Sequence, residues 1–246
     1  MLFDAVASAA DILWPRKCLV CGRILLGKER SLCIRCLSDL PLTGFPAQSR
    51  NPMSAVFNRL VRDGSSGSYS PYSYAAALFY YGKDGDGYSS VTKALKYNGD
   101  VASGRLFASM LAREMARSPH WSDLSGVVPV PLHWTRRWKR GYNQASVIGS
   151  EIAREFGIPL ERNLLRRVRR TASQATLSTA EKAQNVEAAF KASCPSEEMR
   201  HIVIVDDVFT TGSTLYACWK ALREVTPPDV RISVVTLAVV QERLPE

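Results

Sequence analysis

No apolar run in this chain of 246 residues approaches the ~20 residues that a bilayer-crossing helix needs. No membrane insertion is therefore expected. Met1 to Trp14 lacks the basic start and the long apolar centre of a secretory signal. That stretch suits a short amphipathic helix with Leu2, Val6, Ala9, Ala10 and Leu13 along one side, and a cytoplasmic protein is expected. The chain has no G-x-x-x-x-G-K-[ST], and the glycines of Gly82-Lys-Asp-Gly-Asp-Gly87 are wrongly spaced for one. This excludes a P-loop nucleoside triphosphatase. Acidic residues are in deficit, 23 against 32 basic ones, for a net charge of +9. That balance suits a polyanionic ligand and equally suits nucleic acid. Arg136-Arg-Trp-Lys-Arg140 and Arg162 to Arg170 hold much of the surplus, with a plain solvated face as the competing reading of the second cluster.

Cysteines number six, and four of them fall in two C-x-x-C pairs, Cys18/Cys21 and Cys33/Cys36, eleven residues apart. Four thiolates at this spacing are the ligand set of a closed structural zinc site. Gly22, directly after the second cysteine, permits the tight turn that such a knuckle requires. Residues 22–32 are too few and too polar to form a core of their own, so the metal is expected to fold them. Two disulfides are the alternative, opposed by the expected compartment. Cys194 and Cys218 have no partners at metal spacing, and Cys218 is expected as buried packing within a helix.

A hydrophobic content of 46% is ample for an α/β domain and a small accessory module. Residues 1–44 read as the N-terminal helix and zinc ribbon, 45–74 as a turn-rich linker, and 75–246 as the main domain. Strands are expected at Ala75 to Tyr81, Val127 to Val130, Val203 to Val205 and Val230 to Val240. Helices are expected from Ser89 to Lys96, from Ser103 to Arg117 with Leu106, Met110, Leu111 and Met115 on one stripe, from Asn143 to Phe156, and from Leu215 onward. Alternation of this kind predicts a mainly parallel, doubly wound sheet, which binds ligands at the carboxyl ends of its strands.

The most informative segment is His201-Ile-Val-Ile-Val-Asp-Asp-Val-Phe-Thr-Thr-Gly-Ser-Thr214. A buried strand runs into two carboxylates, then into a loop of hydroxyls and glycine, then into a helix start. Backbone N–H groups and the positive end of a helix make that loop an anion site suited to phosphate. Asp206 and Asp207 stand where sugar hydroxyls beside the phosphate could donate to them. The segment resembles the loop of type I phosphoribosyltransferases that binds phosphoribosyl pyrophosphate (PRPP). That resemblance implies that Asp206 and Asp207 contact the ribose and that Thr210, Thr211, Gly212, Ser213 and Thr214 cradle the 5-phosphate.

Further motifs follow the same order as in one family. They are Lys93-Ala-Leu-Lys96-Tyr97-Asn-Gly99-Asp100, Val128-Pro-Val-Pro131-Leu-His133, Arg140-Gly-Tyr-Asn-Gln144, Arg169-Arg-Thr171-x-x-Gln174-x-x-Leu177, Asn185 and Ala189-Phe190. From residue 15 to 240 the chain resembles the ComF family of competence proteins. The resemblance implies PRPP bound with Mg²⁺ and transfer of its phosphoribosyl group to an acceptor with release of pyrophosphate, in DNA uptake or nucleotide metabolism. It implies that Arg140 and the loop at Pro129, Val130 and Pro131 face the pyrophosphate, and that Lys96 and Tyr97 add contacts. His133 is either a base or a loop histidine bonded to its neighbours; Asn143 and Gln144 are expected to cap the following helix. Two positions depart from the family pattern: the acidic, glycine-rich 83–87 turn, and Lys182 where Arg is expected, which loses the bidentate fork. The other open reading is a non-catalytic competence factor that binds single-stranded DNA or a helicase-like partner. Trp134-Thr-Arg-Arg-Trp-Lys-Arg140 would then stack bases and track a backbone.

Overall fold

The computed structural model describes residues 15–64, 70–81, 87–97, 99–132, 141–168 and 189–245. The helix expected over 1–14, most of the 82–87 turn, His133, the 134–140 segment, and Arg169 to Asn185 lie outside the described residues. Apolar runs give β1 (Ala75–Tyr81), β2 (Gly126–Pro129), β5 (His201–Phe209) and β6 (Arg231–Val240), which form one parallel sheet in the order β1-β6-β5-β2. A two-stranded antiparallel sheet, β3 (Leu165–Arg167) with β4 (Phe190–Ala192), stands apart from it. The central strands, HIVIVDDVF and RISVVTLAVV, are buried almost throughout, which is why they lack the alternation of a one-sided strand. Both outer strands are covered. Tyr80 N–H donates to Pro41 O (2.8 Å) and Thr43 N–H to Leu78 O (3.0 Å), while beyond β2 Val127 N–H donates to Pro159 O and Glu161 N–H to Val127 O.

The helices among the described residues are α1 (Ile34–Ser38), α2 (Pro52–Gly64), α3 (Ser89–Tyr97), α4 (Val101–Ala116), α5 (Gln144–Phe156) and α6 (Ser213–Arg223). No helix among the described residues is long and apolar enough to cross a membrane. Several expectations need correction, among them the start of α6, which is Ser213 and not Leu215. Residues 45–74 are not simply a turn-rich linker, because α2 buries Met53, Phe57 and Val61 on one side. Its local signal was present in Asn51-Pro-x-Ser54. Ser54 N–H donates to Asn51 Oδ1 and Asn51 N–H to Ser54 Oγ, both at 2.9 Å, a reciprocal cap with proline at the first helical position. Helix α4 starts two residues earlier than expected because the Asp100 carboxylate accepts the Ser103 N–H. Its buried face is Gly104, Phe107, Ala108, Leu111, Ala112 and Met115, so Leu106 is turned outward and 38% exposed.

At the N-terminal end of the sheet, His201 is fully buried against Trp121, with ring centroids 5.8 Å apart and planes 10° from parallel. Its Nδ1 lies 2.6 Å from Asp123 Oδ1 and its Nε2 2.7 Å from Ser233 Oγ. Burial lowers the His201 pKa, so the ring is the neutral form, with Nδ1–H donating to Asp123 and Nε2 accepting. The Asp–His–Ser order copies a nucleophile relay in spacing only. Ser233 is fully buried and already accepts the Tyr74 N–H at 3.0 Å, so no substrate reaches it. The group ties three segments together at the end of the sheet opposite Asp206 and Asp207.

Candidate functional site

Because β1, β2, β5 and β6 run parallel, their carboxyl ends share one edge. Strand β5 ends there with Asp206 and Asp207. Asp207 is 8% exposed, and its Oδ1 lies 3.1 Å from Lys96 Nζ. That lysine is held in place by the end of α3. The Leu95 carbonyl accepts the Tyr142 hydroxyl and, at 3.5 Å, Gln144 Nε2, which ties α3 to the start of α5. Asp206 is partly buried, and its Oδ1 accepts the Asp207 N–H at 2.9 Å. Burial, and then the charge of Asp207, push the Asp206 carboxyl up to about 7, while Lys96 and Arg167 pull it down.

The Asp206 shift sets a pH dependence of folding. Between its ordinary value near 3.8 and about 7, the folded chain holds a proton that the unfolded chain releases. Stability therefore falls as pH rises through that window. Asp206→Asn is expected to flatten that slope and to stabilise the unliganded protein at pH 8 by on the order of 1–2 kcal/mol. Thermal melts of both proteins at pH 5 and pH 8 check this. An equal Tm change at the two pH values would refute it.

After β5, Thr210 and Thr211 are exposed, Ser213 and Thr214 are half-buried, and Gly212 is buried. Gly212 precedes α6 with φ +77° and offers no capping side chain; the Ser213 N–H makes only a long bond to Thr211 Oγ1 (3.5 Å), so the first turn of the helix suits an outside acceptor. Thr211 Oγ1 lies 2.9 Å from Ser213 Oγ, so the hydroxyls gather on one rim. A Cβ at Gly212 would stand 2.9 Å from the Phe209 ring and 3.0 Å from Leu60 Cδ1. Gly212→Ala combines a left-handed backbone with overpacking, and a loss of about 2–3 kcal/mol is expected in chemical denaturation. An unchanged midpoint would mean that the turn readily changes its path.

Of the residues at the end of β2, Pro129 and Val130 are buried. Val130 N–H donates to Val205 O (2.9 Å), and Val130 O accepts Asn143 Nδ2 (3.0 Å). Val130 can thus act only by holding the loop, and Pro131 is the first partly exposed residue. Asn143 also caps α5 through Ala145 N–H, as expected. Gln144 instead turns inward to Leu95 O, and burial leaves it 2% exposed. Tyr97 closes α3, and Arg140 lies outside the described residues. Sequence reading missed Arg167. It sits on β3 within electrostatic reach of Asp206, with its guanidinium 5.3 Å from the Phe190 ring centroid, and only the basic run around it hinted at a role. Cys218 is fully buried in α6, as expected.

The second candidate centre is the cysteine module. The Sγ atoms of Cys18, Cys21, Cys33 and Cys36 all lie within 4.8 Å of one another, and none is in a disulfide. Cys21 Sγ and Cys33 Sγ are 3.8 Å apart. A tetrahedron with metal–sulfur bonds near 2.3 Å separates its sulfurs by roughly 3.8 Å, so the residues fit a metal such as zinc. Gly22 takes φ +71° in the knuckle and donates its N–H to Cys18 O. The Cys36 N–H, foremost, holds the Cys33 thiol down to about 6, so a thiolate is available at neutral pH. Glu29 orders the intervening loop by accepting Leu26 N–H and Ile34 N–H, each at 2.8 Å. The module packs on the main sheet's helices, where Tyr88 Oη donates to Cys36 O (3.0 Å) and Ser103 Oγ to Ser31 Oγ (2.6 Å).

Comparison with known proteins agrees with this architecture. Residues 143–245 match the family model described as the phosphoribosyl transferase domain. Competence protein F of Haemophilus influenzae is 32% identical over 149 residues, which cover 58% of this chain and 65% of that protein. DNA utilization protein YhgH of Escherichia coli is 39% identical over 89 residues, covering 36% of this chain and 39% of its own. Competence protein ComFC of Bacillus subtilis is 31% identical over 99 residues, covering 40% of this chain and 38% of that protein. The chain thus spans just under two thirds of the first of these relatives and about two fifths of the others. The parallel sheet, the acidic strand end with its glycine turn, the four-cysteine cluster and these relatives together make the chain similar to the competence proteins F and ComFC, with a phosphoribosyl transferase domain over residues 143–245.

Proposed function

We propose that the protein binds PRPP at the carboxyl edge of β5 and transfers its phosphoribosyl group to an acceptor, releasing pyrophosphate. The observation that carries this reading is the pairing of Asp206 and Asp207 with the hydroxyl-rimmed turn that opens α6. In the proposed reaction the bond from the anomeric carbon to the pyrophosphate oxygen breaks, and a bond to the acceptor's nucleophile forms. The sugar passes through an oxocarbenium-like state. The carboxylates of Asp206 and Asp207 hold the ribose 2′- and 3′-hydroxyls, and residues 210–214 hold the 5-phosphate. Arg140, Lys96, Tyr97 and the loop after β2 are proposed to meet the pyrophosphate. Two adjacent carboxylates are hard oxygen donors suited to Mg²⁺ reached through the sugar hydroxyls, and the ion would supply neutralisation of the leaving group. In the cysteine module the ion is proposed to be zinc, with no contact to substrate. A cytoplasmic setting and a role in DNA uptake are part of the proposal, the latter resting on the names of the relatives.

Calorimetric titration of the zinc-loaded chain with PRPP and Mg²⁺ tests the proposal. Saturable, Mg²⁺-dependent binding is expected, and its absence in folded protein would overturn the reading. A second reading, a non-catalytic nucleic-acid or partner-binding factor, is favoured by the +9 charge and by the relatives named for competence and DNA utilization. It requires single-stranded DNA binding that weakens steeply with salt and persists in an Asp206→Ala/Asp207→Ala variant.

A further inference from the structure

A cavity of about 440 Å³ opens beside the chain that follows β2, and none of Asp206, Asp207 or Thr210 to Thr214 lines it. Four separate stretches build it, among them α4 through Arg105, α5 through Ser146, and the turn before β3 through Arg162 and Asn163. No aspartate or glutamate is among the described residues that line it. Arg105 and Arg162 are exposed, and neither makes an ion pair with a described residue. Two cations lining one hollow, with no ion-pair partner among the described residues, give it a positive field. Some cations elsewhere in the protein are paired. Arg154 meets Glu151, Arg117 meets Glu114, and Lys96 meets Asp207.

We infer that this cavity is a second anion site, for the phosphate of a nucleotide-sized ligand. Guanidinium groups grip phosphate oxygens through two parallel N–H bonds, and a pair of them can converge on one phosphate. The volume falls within the ~300–1,000 Å³ of ordinary small-molecule sites. Leu132 and the Tyr142 residue give the hollow an apolar and aromatic wall, while Ser146 and Asn163 supply neutral donors and acceptors for a sugar or base. The site does not depend on the PRPP reading, although it shares Pro131 with the loop assigned to pyrophosphate.

The full chain, zinc-loaded, is titrated calorimetrically with AMP, adenosine and single-stranded oligothymidylate. The variants are Arg105→Ala/Arg162→Ala and, separately, Asp206→Ala/Asp207→Ala. Both arginines are on the surface, so the first variant should keep the wild-type melting temperature. AMP is expected to bind wild type at least tenfold more tightly than adenosine, to lose tenfold or more in the arginine variant, and to keep its affinity in the aspartate variant. AMP binding that survives loss of both arginines, or that disappears with the aspartates alone, overturns the site. Absence of AMP binding to wild type does so too. Oligothymidylate binding with no AMP binding would reassign the cations to a nucleic-acid backbone and likewise overturn a nucleotide-sized site.

Discussion

Replacing Asp206 and Asp207 together by alanine abolishes Mg²⁺-dependent PRPP binding, with an expected loss of 100-fold or more. Each carboxylate hydrogen bond to a ligand hydroxyl is worth about 1.5–3 kcal/mol when the acceptor is charged, and two are removed at once. The loss is not a folding effect, because the two changes act on stability in opposite directions. Removing Asp206 relieves a carboxylate that burial and Asp207 push up to about 7. Removing Asp207 leaves Lys96, now 3.1 Å from its oxygen, without that partner. Affinity in the wild type should rise between pH 6 and pH 8, since Asp206 must lose its proton to accept hydrogen bonds with both oxygens. Calorimetry across that range checks it, with thermal melts of the variant alongside. Undiminished binding in the variant, or affinity that falls with rising pH, would remove these residues from the site.

Stripping the metal from the cysteine module is the second large perturbation. Mass measurement under native conditions should find one zinc per chain, and Cys33→Ser should lower or abolish that occupancy. Structural zinc contributes apparent binding energies of about 10–16 kcal/mol in small modules at neutral pH, much of it folding energy. Without it, residues 16–40 keep only a few buried apolar groups, Leu25, Leu32 and Leu40, against four thiols forced together. Hydrogen exchange should therefore rise first across that stretch. It should then spread along two connections, the Tyr88–Cys36 bond at the start of α3 and the 41–43 segment that covers β1. Because α3 carries Lys96, PRPP affinity should fall several-fold although no thiol touches the ligand. A Cys33→Ser protein with wild-type melting behaviour and no bound metal would show that packing alone holds the module.

Much of this architecture was open to inspection in the sequence because its signals are local. A strand buried on both faces must be apolar throughout, so β5 and β6 announced themselves as parallel and central. The phosphate-type turn needs glycine where φ is positive and hydroxyls beside it, and Thr-Thr-Gly-Ser-Thr shows both. Two C-x-x-C pairs carry their own coordination geometry. Helix α2 was hidden, although its Asn51 and Ser54 cap was there to be read, because a loose, polar-looking composition masked the Met53, Phe57 and Val61 stripe. The α4 stripe was misplaced since spacing alone cannot say which of two adjacent apolar residues, Leu106 or Phe107, meets the core.

What no local pattern carries is the meeting of distant residues. Lys96 reaches Asp207 only because Tyr142 and Gln144 seize the end of its helix, more than forty residues along the chain. Arg167 comes within electrostatic reach of Asp206, and Arg105 and Arg162 line one cavity, for the same reason. Charge acts through space, and its sign in the sequence says nothing of what it will oppose. The sequence by itself determined the strand, the acidic pair, the turn and the thiol set, each fixed by neighbours a few residues away. Only the tertiary structure decided which cations balance those carboxylates and which line a hollow with no ion-pair partner among the described residues.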